Sequence, residues 1–221
     1  MENSVAFITC VNDEETYKES LLYIDRLIIP KGFTIEKIAI RDAKSITSGY
    51  NEAMKKCKSK YKVYLHQDTF IINQNFINDM LKIFSDKNVG MFGAVGSIDV
   101  PENAVWWESQ RIYGSICDNV GLIMSEKNHN YMDYDINEEY KKVEAIDGLI
   151  MVTQYDVKWR EDIFDGWHFY DVSQSAEFVR NGYDVVVPKQ ESSWYIHDCG
   201  YIELGDDYQK YRLRFIEEYK K

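Results

Sequence analysis

From Val5 to Val95 the chain alternates short apolar runs with segments whose apolar residues recur every three or four positions. That rhythm constrains the fold more than any other feature. Strands alternating with helices of this length build a mostly parallel, Rossmann-like sheet flanked by helices, an α/β architecture. Val5–Val11 reads as a buried strand ending in Asn12-Asp13. Glu14–Ile28 reads as a helix with Tyr17, Leu21, Ile24 and Ile28 on one face, stopped by Pro30 and Gly32. Ile35–Ile40 is a second strand, ending at Arg41-Asp42. Ser48 is the expected N-cap of the next helix, which carries Tyr50, Ala53, Met54 and Cys57 on one face. A third strand over Lys62–Gln67, a helix over Asn75–Phe84 and a strand over Val89–Val95 complete the pattern.

The rhythm breaks at Ser97–Lys142, which holds Pro101, Trp106-Trp107, a polar stretch at Ser125–Asn130 and the acidic run Asp133–Glu139. An irregular segment inside a compact domain reads as a lid or a surface excursion. Regular signals return with a strand over Val143–Val152 that contains Gly148. A helix over Tyr170–Asn181 is stopped by Gly182, and a strand over Asp184–Val187 is ended by Pro188. A last strand, Ser193–Ile196, delivers His197-Asp198, and Asp207–Tyr219 is a closing helix. The expected organisation is one domain over 1–221, with a first half (1–96), an irregular insertion (97–142) and a second half (143–221).

A net charge of −11 without a basic stripe excludes a nucleic-acid backbone as partner. If the substrate is itself an anion, such a chain needs a divalent cation to offset the repulsion. The 17 Tyr and 5 Trp suit clefts that are apolar on one side and wet on the other, or an aromatic-rich core. Cys10, Cys57, Cys117 and Cys199 fit neither a zinc ribbon nor a disulfide framework, so they read as reduced thiols. The N-terminus lacks a signal-peptide pattern, and no stretch approaches the roughly 20 apolar residues of a membrane span. The expectation is a soluble, cytoplasmic protein.

The chemistry concentrates at strand ends, where open α/β sheets bind ligands. The run Tyr61–Phe70 stops at His66-Gln67-Asp68. Asp68 either offers hard oxygen to Mg²⁺ or Mn²⁺ or caps the following turn. His66 reads first as a hydrogen-bonded core histidine. Further on, Phe164-Asp165-Gly166-Trp167-His168-Phe169-Tyr170-Asp171 opens a helix that leads to Gly182-Tyr183-Asp184-Val185-Val186-Val187-Pro188. Asp171 at that helix start either answers the macrodipole, with a lowered pKa, or accepts a proton from an attacking hydroxyl. His197 either completes a metal site or is an ordinary loop histidine.

These two separated motifs, in this order, resemble the inverting glycosyltransferases of the GT-A fold, the large group often called family 2. The Trp-His-Phe-Tyr-Asp wording is also similar to a bacterial subgroup in which His-Gln-Asp stands in for Asp-x-Asp. The resemblance spans most of Val5–Cys199 and leaves Ser97–Lys142 unmatched. It implies a nucleotide-binding first half and an acceptor-binding second half. The donor would be a UDP- or GDP-linked sugar and the acceptor a glycan or other hydroxyl compound. It also implies Mn²⁺ or Mg²⁺ held by Asp68 and His197, with Asp171 as general base. For the nucleotide it points to Thr9, Cys10, Asn12, Asp42, Gly49, Asn51 and Gln67. For the acceptor, Trp107, Gly148, Trp167 and His168 are the candidates, the tryptophans as flat faces for a sugar ring.

In two places the chain departs from the family pattern. His66 replaces the first acid of Asp-x-Asp, and Tyr170 replaces the Glu that precedes the base. Those departures keep open a non-catalytic nucleotide- or glycan-binding module. A nucleotidyltransferase is disfavoured, because no basic, glycine-rich loop follows the first strand.

Overall fold

The computed structural model of the protein describes residues 2–120, 123–130, 133–135, 137–200 and 204–221. Ile136, inside the acidic run noted above, lies outside them. The first half follows the expected alternation: β1 (Ser4–Val11), α1 (Glu14–Ile24), β2 (Thr34–Arg41), α2 (Ile46–Lys56), β3 (Tyr61–Leu65), β4 (Thr69–Ile71), α3 (Phe76–Ile83), β5 (Val89–Gly93) and β6 (Val95–Ser97). Then come β7 (Ile112–Val120), β8 (Ile123–His129), β9 (Tyr140–Lys142), β10 (Ala145–Ile146), β11 (Ile150–Thr153), α4 (Tyr170–Arg180), β12 (Asp184–Pro188), β13 (Tyr195–His197) and α5 (Asp206–Tyr219).

The main sheet runs β2-β1-β3-β11-β5-β12-β9. β1 pairs parallel with β2 and β3, and β12 parallel with β5. β11 enters between β3 and β5 antiparallel to both, and β9 closes the edge antiparallel to β12, so the sheet is mixed. Along β1 the side chains alternate between layers. Val5 and Phe7 join the core under α1 and α3, while Ala6 and Ile8 join the core under α2 and α4. A second sheet, β10-β6-β7-β13-β4 with β8 beside β7, stands against it. A third apolar cluster ties Trp106, Phe164 and Phe169 to Tyr208, Tyr211 and Phe215 of α5.

Several boundaries differ from the expected ones for local reasons. α1 ends at Ile24, not Ile28, because the Ile28 N–H donates to Gln74 O (2.8 Å) instead of continuing the helix. The cap of α2 is Ser45 rather than Ser48. The two form a capping box, with Ser48 N donating to Ser45 Oγ and Ser45 N to Ser48 Oγ, each at 3.1 Å. The segment 97–142, expected to be irregular, carries the β7–β8 hairpin. Its polarity reflects an exposed edge strand, since among the described residues β8 pairs only with β7, and Glu126 and Lys127 suit such an edge. Trp106-Trp107 lies on a 3₁₀ turn. The strand expected over Val143–Val152 is two strands in two different sheets, broken at Asp147-Gly148-Leu149. That break creates part of the site.

Among the described residues no helix is long and apolar enough to cross a membrane. The four cysteines are unpaired.

Candidate active site

β3 stops at Leu65, so His66-Gln67-Asp68 forms the turn into β4, with Thr69 N donating back to His66 O (3.2 Å). β13 runs antiparallel to β4 and sets His197 opposite Thr69. Sheet register therefore brings together residues 131 positions apart, counting from His66 to His197. His197 Nε2 lies 3.6 Å from Asp68 Oδ1, and His66 Nδ1 lies 3.8 Å from the same oxygen. One donor atom from each of His66, Asp68 and His197 falls within 4.8 Å of the others. Asp68 Oδ1 is buried and has no hydrogen-bond partner. A buried carboxylate oxygen without a partner costs about 1–3 kcal/mol or more unless something satisfies it. Two imidazoles facing that carboxylate oxygen fit a first-row divalent ion such as Mn²⁺. His66, expected in the core, is half-buried and belongs to this trio.

Two cavities meet at the trio. One, of about 470 Å³, is lined by Cys10, Asn12, Asp42, Gln67, His66, Asp68 and Trp167, among others. The other, of about 490 Å³, is lined by Trp106, Trp107, Asp118, Lys127, His129, Asp147, His197 and Cys199, among others. Both are of ligand size. The first sits at the carboxyl ends of β1, β2 and β3. Gln67 braces its wall, accepting from Asn12 N (2.9 Å) and Asp13 N (3.0 Å) and donating to Asn12 Oδ1 (2.5 Å). Asp42 holds a left-handed backbone (φ 55°) there, which a short polar side chain tolerates. Burial pushes the Cys10 thiol up to about 12, so it meets the cavity uncharged.

Three residues expected at the nucleotide do other work. Thr9 is buried within β1, facing neither cavity. Asn51 is buried and clamps Trp159, donating to its O (2.9 Å) and accepting from its N (3.0 Å). At Gly49 a Cβ would lie 2.8 Å from Cys10 Sγ, so this glycine lets α2 approach β1. Of the residues expected at the acceptor, Trp107 lines the second cavity, whereas Trp167, more than half exposed, lines the first. His168 lines neither of these two cavities and packs edge-on against Tyr208.

The start of α4 adjoins the trio. Its N-cap, Phe169, takes a left-handed backbone (φ 61°), a conformation costing on the order of 1–3 kcal/mol in a bulky residue. Buried packing against Tyr208 and Phe215 holds it there. The Tyr170 hydroxyl then hydrogen-bonds His66 Nε2, and the Asp171 carboxylate accepts from Gly148 N (3.2 Å). A Cβ on Gly148 would collide with the Tyr170 phenol, so Gly148 serves packing and a backbone donor rather than the acceptor directly.

Asp171 departs from expectation. Its pKa is not lowered but pushed up to about 7, by desolvation first and by the nearby charge of Asp147 second. The hydrogen bonds from Gly148 and from the helix start oppose the rise without cancelling it. For His197, burial alone would push the pKa down. The neighbouring Cys199 thiol and the charges of Asp68 and Asp147 reverse this and bring it to about 9. His66 is held below the usual range by burial.

Sequence reasoning missed Asp147, Asp118 and the role of Tyr170. Asp147-Gly148 inside an apparent strand was a legible break signal. Asp118, whose Oδ1 lies 3.9 Å from His197 Nδ1, sits in a segment with no motif.

No curated protein matches the sequence. Solved structures do match the fold. Residues 1–349 of TarS from S. aureus superpose with a TM-score of 0.57 at 10% identity, covering 90% of this chain and 60% of that one. GalNAc-T7, solved with UDP, GalNAc and Mn²⁺, gives 0.65 at 8% identity, covering 99% and 49%. Mannosyltransferase PcManGT from Pyrobaculum calidifontis, solved with GDP-Man and Mn²⁺, gives 0.55 at 11% identity, covering 96% and 60%. The chain thus spans about half to 60% of the length of these structures, and it shares their GT-A fold. The model of the glycosyltransferase-like family matches residues 6–219, nearly the whole chain. The chain belongs to that family.

Proposed function

We propose that this protein transfers a sugar from a nucleoside diphosphate sugar, UDP- or GDP-linked, to an acceptor hydroxyl with inversion at the anomeric carbon. The observation that carries the reading is the trio at the wall between two ligand-sized cavities. His66 and Asp68 face the first cavity and His197 the second, around a buried oxygen of Asp68 that lacks a partner.

In this reading the first cavity takes the nucleotide. Asn12 and the backbone braced by Gln67 meet the base, and Asp42 meets the base or ribose. His66, Asp68 and His197 would hold Mn²⁺ or Mg²⁺, which supplies electrostatic stabilisation where charge grows on the leaving diphosphate. The second cavity takes the acceptor, with Trp107 as an apolar face. Asp171 accepts the proton of the attacking hydroxyl. Its pKa of about 7 leaves it ionised in part at neutral pH and far more basic than an ordinary carboxylate. Asp171 borders neither cavity in this conformation; it accepts from Gly148 N, beside Asp147, which lines the second. The Asp147 carboxylate is the alternative proton acceptor.

The test is incubation with UDP- and GDP-sugars, Mn²⁺ and a panel of hydroxylated acceptors, following release of the nucleoside diphosphate and the anomeric configuration of the product. Acceptor-stimulated release with inverted product is the expected result. Firm nucleotide binding with no release from any donor would favour a binding module, the reading that the Tyr170 replacement of an acidic residue keeps alive.

A further inference from the structure

The two positions at which this chain departs from the family pattern, His66 and Tyr170, touch each other. They lie 104 residues apart, on the turn after β3 and at the first residue of α4. We propose that Tyr170 is a positioning residue for the metal site, fixing the tautomer and ring orientation of His66 so that Nδ1 is delivered to the trio. The inference rests on the metal site proposed above.

The argument is one of valence. A neutral imidazole has one N–H and one lone pair. His66 turns Nδ1 toward Asp68 Oδ1 and Nε2 toward the Tyr170 hydroxyl. If Nε2 carries the proton and donates to the Tyr170 oxygen, the Nδ1 lone pair is free for a cation. If the phenol donates to Nε2 instead, Nδ1 carries the proton and cannot ligate. Metal-binding histidines generally donate their other N–H to a fixed acceptor. Here that acceptor is a phenol rather than a carboxylate or a backbone carbonyl.

The surroundings hold the phenol still. Tyr170 is buried, its ring lies near those of Tyr50 and Trp159, and it covers Gly148, where a Cβ would displace it. Gly148 N donates to Asp171, the next residue along the chain. One turn of backbone thus fixes the His66 partner and the proton acceptor together. Tyr170 ties the base-bearing helix to the cation site, a link that a Glu replaced by Tyr would otherwise be taken to have lost.

A double-mutant cycle on Mn²⁺ affinity is the test. Free Mn²⁺ is read by electron paramagnetic resonance, with no turnover required. Tyr170→Phe should weaken Mn²⁺ about 10–100-fold in the wild-type background. It should change affinity less than about 2-fold in a His66→Ala background, where there is no imidazole left to position. Equal losses in both backgrounds, or no loss in the first, would overturn the positioning role while leaving the metal site standing. A wild type that binds no Mn²⁺ overturns the metal site, and the inference with it. As a separate signature, ¹⁵N spectra of the metal-free protein should show His66 protonated on Nε2, with that preference reduced in Tyr170→Phe. An Nδ1-protonated His66 in the wild type would also overturn the proposal.

Discussion

The two cavities are built in different ways. The first is made by three neighbouring strand ends, β1, β2 and β3, all parallel and all from the first 70 residues. Each contributes the loop that follows it, α2 adds Ile46 and Tyr50, and Trp167 reaches in from the second half of the chain. The second is assembled from β6, the 3₁₀ turn at Trp106–Glu108, β7, β8, the Asp147 turn and the end of β13. Its walls come from segments spread over more than 100 residues. The first cavity is thus a property of local pattern, the second a property of register between distant strands.

Substitutions on the two sides should therefore separate donor from acceptor effects. The largest expected effect is at Asp171. Asp171→Asn should slow transfer by about 10²–10⁴-fold and leave UDP affinity unchanged, because a proton acceptor serves only the acceptor step. Turnover and calorimetric UDP binding on the same preparation check this. Weakened UDP binding would break the division.

Next come the tryptophans, which give a crossed pair. Trp107→Ala should raise the acceptor KM by up to about 10-fold, and Trp167→Ala should weaken donor binding by a similar factor, each from a lost ring contact worth about 0.5–1.5 kcal/mol. Both effects falling on the same substrate would merge the two cavities into one site.

The smallest effect is a shift in pH dependence. Asp171 must be ionised to accept a proton, so transfer should fall as pH drops through about 7. Asp147→Asn removes a like charge that raises the Asp171 pKa, and the acidic limb should move to lower pH. An unmoved limb with normal turnover would detach Asp147 from Asp171. Loss of turnover comparable to that of Asp171→Asn would make Asp147 the proton acceptor instead.

Much of the first cavity was legible before the structure. Asn12, Asp42 and Gln67 follow strands that apolar runs announce, and the structure sets them around one space. Thr9, in a strand, and Asn51, in a helix, were misplaced because residue type does not tell which way a side chain points. Asn51 turns inward to a backbone partner, Trp159, that lies 108 residues away. The β7–β8 hairpin was illegible because an exposed edge strand has the composition of a loop. The raised pKa of Asp171 was illegible for a different reason. The helix start that favours its charge is visible in sequence, but the burial and the Asp147 charge that outweigh it are set by packing. His66 was read as a core histidine because its partners, Tyr170 and His197, come from the far end of the chain.

The central claim is that His66, Asp68 and His197 form a cation site that binds the donor diphosphate. Calorimetric titration of UDP into wild type and Asp68→Asn, each with and without Mn²⁺, tests it most directly. The account predicts that Mn²⁺ markedly tightens UDP binding to wild type, and that Asp68→Asn abolishes this gain while the mutant remains folded. UDP binding equally tight with and without Mn²⁺ in wild type, or a gain that survives in Asp68→Asn, would contradict it.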